Sequence, residues 1–191
     1  MRTIWIKAIA LLLVVWVIAG GVMWWAKENK PTPDKLLVYV EKNPIANKAP
    51  ATRGDVVKSV AEQLNGLTYE QRQELRLSQK LDGFFKDLSP AEQSRFLDLT
   101  LPEGFKQMFD ALNKMEPEKR KRFVERALKE MKEQEGLEIP AEAREKFASD
   151  GNVQKIVDQG LKSFYNEASA ETKMDVAPLI EQMHRNLQGL R

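Results

Sequence analysis

His184 is the side chain in this sequence best suited to metal binding or proton transfer, because the chain has one histidine and no cysteine. On a helix it would be flanked by Glu181 and Gln188. A zinc site needs three or four ligands, and the HExxH spacing that supplies two histidines and a base does not occur. The sequence therefore predicts a solvated histidine and no metal site.

Signatures of enzymes are also missing from the sequence. With one histidine and no cysteine, no Ser-His-Asp or Cys-His arrangement can be assembled, and neither GxxxxGK[ST] nor GxGxxG occurs. The carboxylates stand where helix caps and ion pairs account for them. We expect a protein that is not an enzyme and that binds no cofactor.

Residues 119–122, KRKR, form the one basic run, which could contact nucleic acid or anionic lipid. The whole chain carries 30 basic and 28 acidic residues, and a net charge of +2 argues against nucleic-acid binding through bulk charge. Glu116 and Glu118 lie one helical turn before the two arginines of the run. Paired charges on a solvated helix face are the preferred interpretation, and contact with lipid headgroups is the alternative.

Aromatic and methionine side chains recur at helical spacing in the middle of the chain. Such adaptable side chains can line a groove for a partner, but apolar faces at i, i+3 and i+4 are found on any packed helix. Core packing is the preferred interpretation. Partner binding is the alternative for five residues: Phe84, Phe85, Phe105, Met108 and Phe109.

A stripe of apolar residues near the C-terminus has spacings of 4, 3, 4 and 3: Val176, Ile180, Met183, Leu187 and Leu190. The spacing fits a coiled-coil contact, although it covers under three heptads. Packing against the protein's own body is preferred, and a partner at Ile180, Met183 and Leu187 is the alternative. Pro178 is expected in the first turn of this helix, where its missing N–H costs nothing.

The stretch that positions all of these residues relative to a membrane is Ala8–Ala26, nineteen residues without a charge. At 1.5 Å per residue, a helix of this length covers about 28 Å, close to the roughly 30 Å apolar core of a bilayer. Trp5 lies at one edge and Trp24 and Trp25 at the other, where tryptophan settles at the membrane interface. The sequence predicts a single transmembrane helix.

A cleaved secretory signal is the alternative for this stretch, since Arg2 and Lys7 are basic and Ala19 is a small residue before Gly20. Apolar character continues beyond that point as far as Trp25, which favours an uncleaved anchor. Basic residues flank both ends of the stretch almost evenly. Because the short leading tail resembles a signal-anchor, we expect the N-terminus inside and the body outside, in an inner (cytoplasmic) membrane.

Prolines and glycines divide the chain into four parts. Residues 1–27 are the anchor, residues 28–52 a linker with a short helix begun by Thr32 and Pro33, residues 53–136 a helical lobe, and residues 137–191 a C-terminal helical lobe. Gly66 is expected to end the first helix of the third part. Gly136 and Pro140 are expected to separate the two lobes, with a helix over 141–148 following them.

Three stretches place an apolar residue before a Thr or Ser, with Gln or Glu three residues later, which is the pattern of a capping box after a hydrophobic staple. Their hydroxyls belong to Thr68, Ser89 and Thr100. The helix after Thr68 is expected to carry Leu77 on an apolar face that continues to Phe85. The fold class predicted from these patterns is all-α, an array of short capped helices.

The residues LTYEQ at 67–71 match the LTxxQ motif, and LSPAE at 88–92 is similar to a degraded second copy. In these residues the chain resembles the Spy/CpxP-like periplasmic helical proteins. The resemblance covers residues 67–92 only. It implies an all-helical envelope protein that binds unfolded clients or the outer domain of a sensor. The long C-terminal extension departs from the family, as does the lack of the histidines that a metal-sensing relative would use.

Together these observations favour a membrane-anchored helical module for protein–protein interaction, acting as an adaptor, an assembly factor or a chaperone-like protein in the cell envelope. An accessory structural subunit of a larger membrane complex is the alternative. The expected partners are membrane lipid for the N-terminal helix and a protein for the body, with no nucleic acid.

Overall fold

The computed structural model describes residues 30–135 and 150–188, and the regular elements of these two ranges are helical. They follow one another in this order: α1 (Pro33–Lys42), a 3₁₀ turn (Ile45–Asn47), α2 (Pro50–Asn65), α3 (Tyr69–Ser78), α4 (Asp82–Lys86), α5 (Pro90–Lys114), α6 (Pro117–Glu135), α7 (Gly151–Glu167) and α8 (Ala170–Gln188). The all-α prediction is confirmed for this part of the chain.

The predicted membrane anchor, with Trp5, Trp24 and Trp25, lies outside the described residues. Among the helices within the two ranges, none has the length and apolar composition that a bilayer crossing needs. The predicted separation at Gly136 and Pro140 and the predicted helix over 141–148 also lie outside the described residues.

Two of the predicted capping boxes are confirmed. Thr68 Oγ1 accepts a hydrogen bond from the Gln71 amide, and Gln71 Oε1 accepts one from the Thr68 amide, at 3.3 Å and 3.0 Å. Ser89 and Glu92 make the same reciprocal pair at the start of α5. These boxes form as expected because they depend only on residues within one helical turn.

The third predicted capping box, at Thr100, is wrong. Thr100 lies inside α5, where its buried hydroxyl donates to the Phe96 carbonyl at 2.8 Å. Pro102, two residues later, costs an interior helix about 3 kcal/mol. The helix continues because α2 packs on one side of it and α7 on the other, and burying each large apolar side chain returns about 1.5–3 kcal/mol.

Two other boundaries differ from the predictions. The helix after Thr68 ends at Ser78, because Gln79 adopts a left-handed conformation with φ of 54°, and Leu77 is 82% exposed instead of packed. The last helix begins at Ala170, so Pro178 lies in its interior and not in its first turn. That start is set by Ser169, whose Oγ accepts from the Thr172 amide at 3.2 Å.

Three pairs of successive helices are each joined by a short corner, and each such pair is called a hairpin below: α2 with α3, α5 with α6, and α7 with α8. The hairpins pack in series, because α5 lies between α2 and α7, and α6 packs against α8. Contacts between α5 and α7 advance in the same direction along both helices, from Lys155 on Asp98 to Asn113 on the carbonyl of Glu167. The first helices of successive hairpins therefore run parallel, as in a helical repeat array.

The corners of the three hairpins share one nine-residue pattern, LNGLTYEQR at 64–72, LNKMEPEKR at 112–120 and YNEASAETK at 165–173. Each has Asn second, Glu seventh and a cation ninth. The cation donates to the carbonyl of the first residue in every case: Arg72 to Leu64 at 2.9 Å, Arg120 to Leu112 at 3.2 Å and Lys173 to Tyr165 at 2.7 Å. The three corners of the described chain therefore repeat one local arrangement, and positions can be matched from one hairpin to the next through it.

The cation of each corner is the fourth residue of the second helix, and it supplies a donor to the C-terminal end of the first helix. That end carries carbonyls without helical partners and a partial negative charge, so a cation there is favourable on both counts. The helices that begin a hairpin also place a donor at their fourth residue. Arg53 in α2 donates to the Ile45 carbonyl at 2.9 Å, and Gln93 in α5 donates to the Phe85 carbonyl at 3.1 Å.

The buried apolar residues form two clusters. The first joins α1 to α4 and ends at Phe96 in α5, and the second joins α6, α7 and α8 to Phe109 and Leu112 in the same helix. Gly160 allows α7 to approach closely, because an added Cβ would lie 3.2 Å from the Phe105 ring. The long helix α5 is therefore shared by both cores.

Arg53 and Glu92 fasten the first hairpin to α5. The guanidinium donates to both carboxylate oxygens of Glu92 at 2.7 Å, and to the carbonyls of Ile45 and Asp87. Glu92 also accepts from the Ser89 amide, so one carboxylate serves a helix cap and a contact between elements. The hydrogen bond from Arg53 is the largest cause that lowers the pKa of Glu92, to about 2.

We predict that this pair makes stability depend on pH in the acid range. The unfolded carboxyl takes up its proton near the ordinary value of 4.5, and the folded one only near 2, so stability is full above 4.5 and falls as the pH is lowered through that window. Glu92→Gln should lower the melting temperature at neutral pH and flatten its decline in acid.

The matched control is Glu62→Gln, which alters a carboxylate 3.8 Å from Lys58 on a mostly exposed helix face. It should leave the pH profile of the melting temperature close to that of the unaltered chain, since exposed pairs contribute little. A Glu92→Gln profile that runs parallel to the unaltered one would show that the pair does not govern acid stability.

Candidate functional site

The five aromatic and methionine residues considered for partner binding lie in the two cores. Phe84 is 6% exposed and packs edge to face on Phe96, with ring centroids 6.0 Å apart. Phe109 is 2% exposed and its ring lies 6.1 Å from that of Phe164. The partly buried residues Phe85, Phe105 and Met108 pack against the same clusters. Phe84 and Phe109 are therefore core residues, and the other three lie partly buried at the edges of the cores.

The apolar stripe of α8 divides into a packed part and an open part. Val176 is 4% exposed in the second cluster, and Ile180 packs against that cluster from its edge. Farther along, Ile180 and Met183 line a groove of about 500 Å³ between α7 and α8. The side chains of Leu187 and Leu190 lie outside the described residues.

The groove has apolar walls and a charged margin. Its walls come from both helices of the third hairpin, and its lining consists of Val157, Leu161, Tyr165, Ile180, Glu181, Met183, His184 and Arg185. Tyr165 stands at the corner end and is 66% exposed, with its ring against Phe164 at a centroid distance of 5.3 Å. Here two of the predicted partner-binding residues, Ile180 and Met183, line an open apolar groove.

The repeat gives each position of the third hairpin a counterpart in the second. On α5, Phe105 and Phe109 receive α7, and their counterparts on α7 are Asp158 and Lys162, both exposed. On α6, Leu128 packs in the second cluster, and its counterpart on α8 is the exposed Glu181. The outer face of the third hairpin is therefore polar around the groove, as expected of a repeat that closes an array.

The corner asparagines connect each hairpin to the next. Asn65 donates to the Leu99 carbonyl of α5 at 2.8 Å. Asn113 donates to the Glu167 carbonyl at 2.8 Å and accepts from the Ser169 amide at 2.9 Å, at the corner of the third hairpin. Their counterpart, Asn166, is exposed beside Tyr165. The corner asparagine of the third hairpin is therefore exposed, whereas those of the first two hairpins bond to the next hairpin.

The candidate metal ligand, His184, lies exposed on α8 at the margin of the groove. Within the two described ranges no group of three or more potential ligands is near enough to hold a metal ion.

The basic run forms part of the predicted pairing between helical turns: Lys121 lies 3.8 Å from Glu118 on the exposed face, but Arg120 turns inward. Arg120 is 2% exposed, and its Nε donates to Asp175 Oδ2 on α8 at 2.7 Å, with Glu171 at 3.8 Å. Its Nη1 donates to the carbonyls of Leu112 and Met115. Arg120 therefore pairs with Asp175 and not with the predicted Glu116, because the corner directs its guanidinium inward, where it links α5, α6 and α8.

Sequence reasoning missed a serine and a lysine that come together between α5 and α7. Lys155 Nζ lies 2.7 Å from Ser94 Oγ and 2.6 Å from Asp98 Oδ2. A lysine activates a serine nucleophile only when its amine can accept the hydroxyl proton. Here the ammonium donates to a carboxylate as well as to the hydroxyl, so the cluster fastens α7 to α5.

Comparisons with protein-family models, with curated proteins and with solved structures returned no match. The internal repeat was the signal in the sequence that would have located the groove. Its three copies of Asn, Glu and a cation at fixed offsets identify the third corner, and that corner marks the open end of the groove.

We predict that Arg120 is the principal electrostatic tie of the second core. Arg120→Met removes the guanidinium while keeping apolar bulk, and it takes one donor from the Asp175 carboxylate and one from each of two carbonyls. Breaking a buried pair in this way costs about 3–5 kcal/mol in chemical denaturation. Arg122→Met is the matched control, since Arg122 is exposed in the same run and should change stability by less than about 0.5 kcal/mol. Equal losses from both variants would contradict this assignment.

Proposed function

We propose that this protein is a membrane-anchored helical repeat module for protein–protein interaction in the cell envelope, acting as an adaptor, an assembly factor or a chaperone-like protein. The observation that carries the proposal is the groove between α7 and α8, an apolar surface at the outer end of a stack of hairpins. Repeat arrays of this kind bind other proteins through surfaces formed by successive units.

The composition of the groove supports this proposal. Protein interfaces combine an apolar centre with a polar margin and are enriched in Tyr, Met and Arg. Tyr165, Met183 and Arg185 all line the groove, and the remaining lining residues are a Val, a Leu and an Ile together with Glu181 and His184. Helix-in-groove recognition requires an open apolar trough of this type between two helices.

The anchor is the part of the proposal that rests on sequence. The uncharged stretch Ala8–Ala26 has the length of a membrane span, and its flanks favour a body outside the inner membrane. The resemblance of residues 67–92 to the Spy/CpxP-like proteins points to the same compartment and to unfolded clients or a sensor domain as partners. In this setting the small number of residues between the anchor and α1 would hold the hairpin stack close to the membrane surface.

We predict that the body is exposed on the outer side. The chain has no cysteine, so Ser78→Cys, at the exposed end of α3, is a single reporter. A membrane-impermeant maleimide should label it in intact spheroplasts. Ser163→Cys is the control, because Ser163 is 4% exposed and should react only after denaturation. Labelling of Ser78→Cys only after lysis would place the body inside.

We also predict that introducing a charge into the groove abolishes binding of a protein partner. The full chain, extracted from membranes in mild detergent, should retain a partner that Met183→Asp loses, because a carboxylate in an apolar contact is unpaired. Met174→Asp is the control, since Met174 is 71% exposed on the same helix and does not line the groove. Melting temperatures of both variants check that folding is kept.

The stoichiometry of the recovered partner distinguishes an adaptor from a structural subunit. A fixed stoichiometry in every preparation would favour the alternative of a structural subunit, and a partner recovered in small and variable amounts would favour an adaptor. If Met183→Asp retains its partner as fully as the unaltered chain does, the groove is not the interaction site.

A further inference from the structure

We infer that the occupant of the groove is a second copy of this chain, with two molecules related by a two-fold axis and their third hairpins face to face. The inference rests on the proposed function in that it uses the same groove. It adds the identity of the partner and its orientation.

Two pairs of charges on the third hairpin carry the argument. Glu181 and Arg185 line the groove. Asp158 and Lys162 lie beside it on α7, where they line the neighbouring cleft between α7 and α5. On α7 the acid Asp158 precedes the base Lys162 by one helical turn, and on α8 the acid Glu181 precedes the base Arg185 by the same distance. All four side chains are exposed. In both helices the order along the chain is acid and then base.

A two-fold axis reverses the direction of each helix against its copy. Asp158 of one molecule then lies opposite Lys162 of the other, and the reverse contact is made at the same time. The same relation holds for Glu181 and Arg185, whose guanidinium has donors left beside its bond to Gln182 Oε1. Interfaces between identical subunits are self-complementary in this sense.

The apolar residues fit the same arrangement. Leu161, Tyr165 and Met183 line the groove and would meet their own copies near the axis. Tyr165 is 66% exposed, whereas its counterpart Leu112 is 4% exposed under the next hairpin. A large aromatic ring at the position that the earlier repeat covers is the kind of residue that contributes most to an interface.

A fourth hairpin stacked like the third would not fit this face. In the stack, α7 rests on Phe105 and Phe109 of α5, and the counterparts on α7 are a carboxylate and an ammonium. A parallel helix with an apolar face would leave both charges buried without partners, which is costly. An identical face, turned by the two-fold axis, places a base opposite each acid and an acid opposite each base.

Charge reversal in the full chain tests the arrangement. The association of the detergent-extracted protein is measured by light scattering over a dilution series. Asp158→Lys puts two ammonium groups opposite each other twice in the dimer, and we expect the dissociation constant to rise about tenfold or more. Lys162→Asp should weaken the dimer similarly. The double variant D158K/K162D restores opposite charges and should recover the dimer.

The control is Lys58→Glu, a reversal of an exposed charge on α2, far along the stack from the third hairpin. It should leave the dissociation constant unchanged. A double variant as weak as the single ones would overturn the two-fold arrangement, and so would a monomeric unaltered chain.

Cross-linking separates failure of this inference from failure of the proposed function. Asn166→Cys, at an exposed position beside Tyr165, is treated in membranes with a short bifunctional maleimide and should give a product of twice the chain's mass, whereas Ser78→Cys should not. A photo-reactive maleimide at the same position that captures a different protein would overturn the inference while keeping the interaction function. Capture of neither a second copy nor another protein would overturn both.

Discussion

The last carbonyls of a helix are short of donors and carry a partial negative charge, and a corner cation contacts such a carbonyl at each of the three corners. Arg72, Arg120 and Lys173 each reach back to the end of the preceding helix. The contact adds a donor at that end and opposes the helix dipole. Each corner therefore ties the end of one helix to the first turn of the next, and the last corner lies at one end of the groove.

The sequence predicts the local part of this arrangement well. The all-helical fold and the caps at Thr32, Thr68 and Ser89 depend on residues within one turn, and the structure contains them. The predictions that failed concern residues whose conformation is decided by distant packing. Thr100 and Pro102 read as a helix start, yet α5 passes through both because neighbouring helices cover its two sides.

The groove could be found in the sequence only in part. Ile180 and Met183 belong to a stripe whose spacing is visible, but spacing does not say where a stripe leaves the core. Val157, Leu161 and Tyr165 complete the groove from another helix, and no local pattern links them to the stripe. The buried position of Arg120 was hidden for the same reason, because its acidic partner Asp175 is distant in sequence.

The sharing of α5 between two cores also determines how the array would unfold. In a repeat protein, stability is close to a sum of terms for single units and for contacts between neighbours. Here the N-terminal part of one long helix completes the first core and its C-terminal part completes the second. A break within α5 would therefore disturb both cores, so the two cores are expected to unfold together.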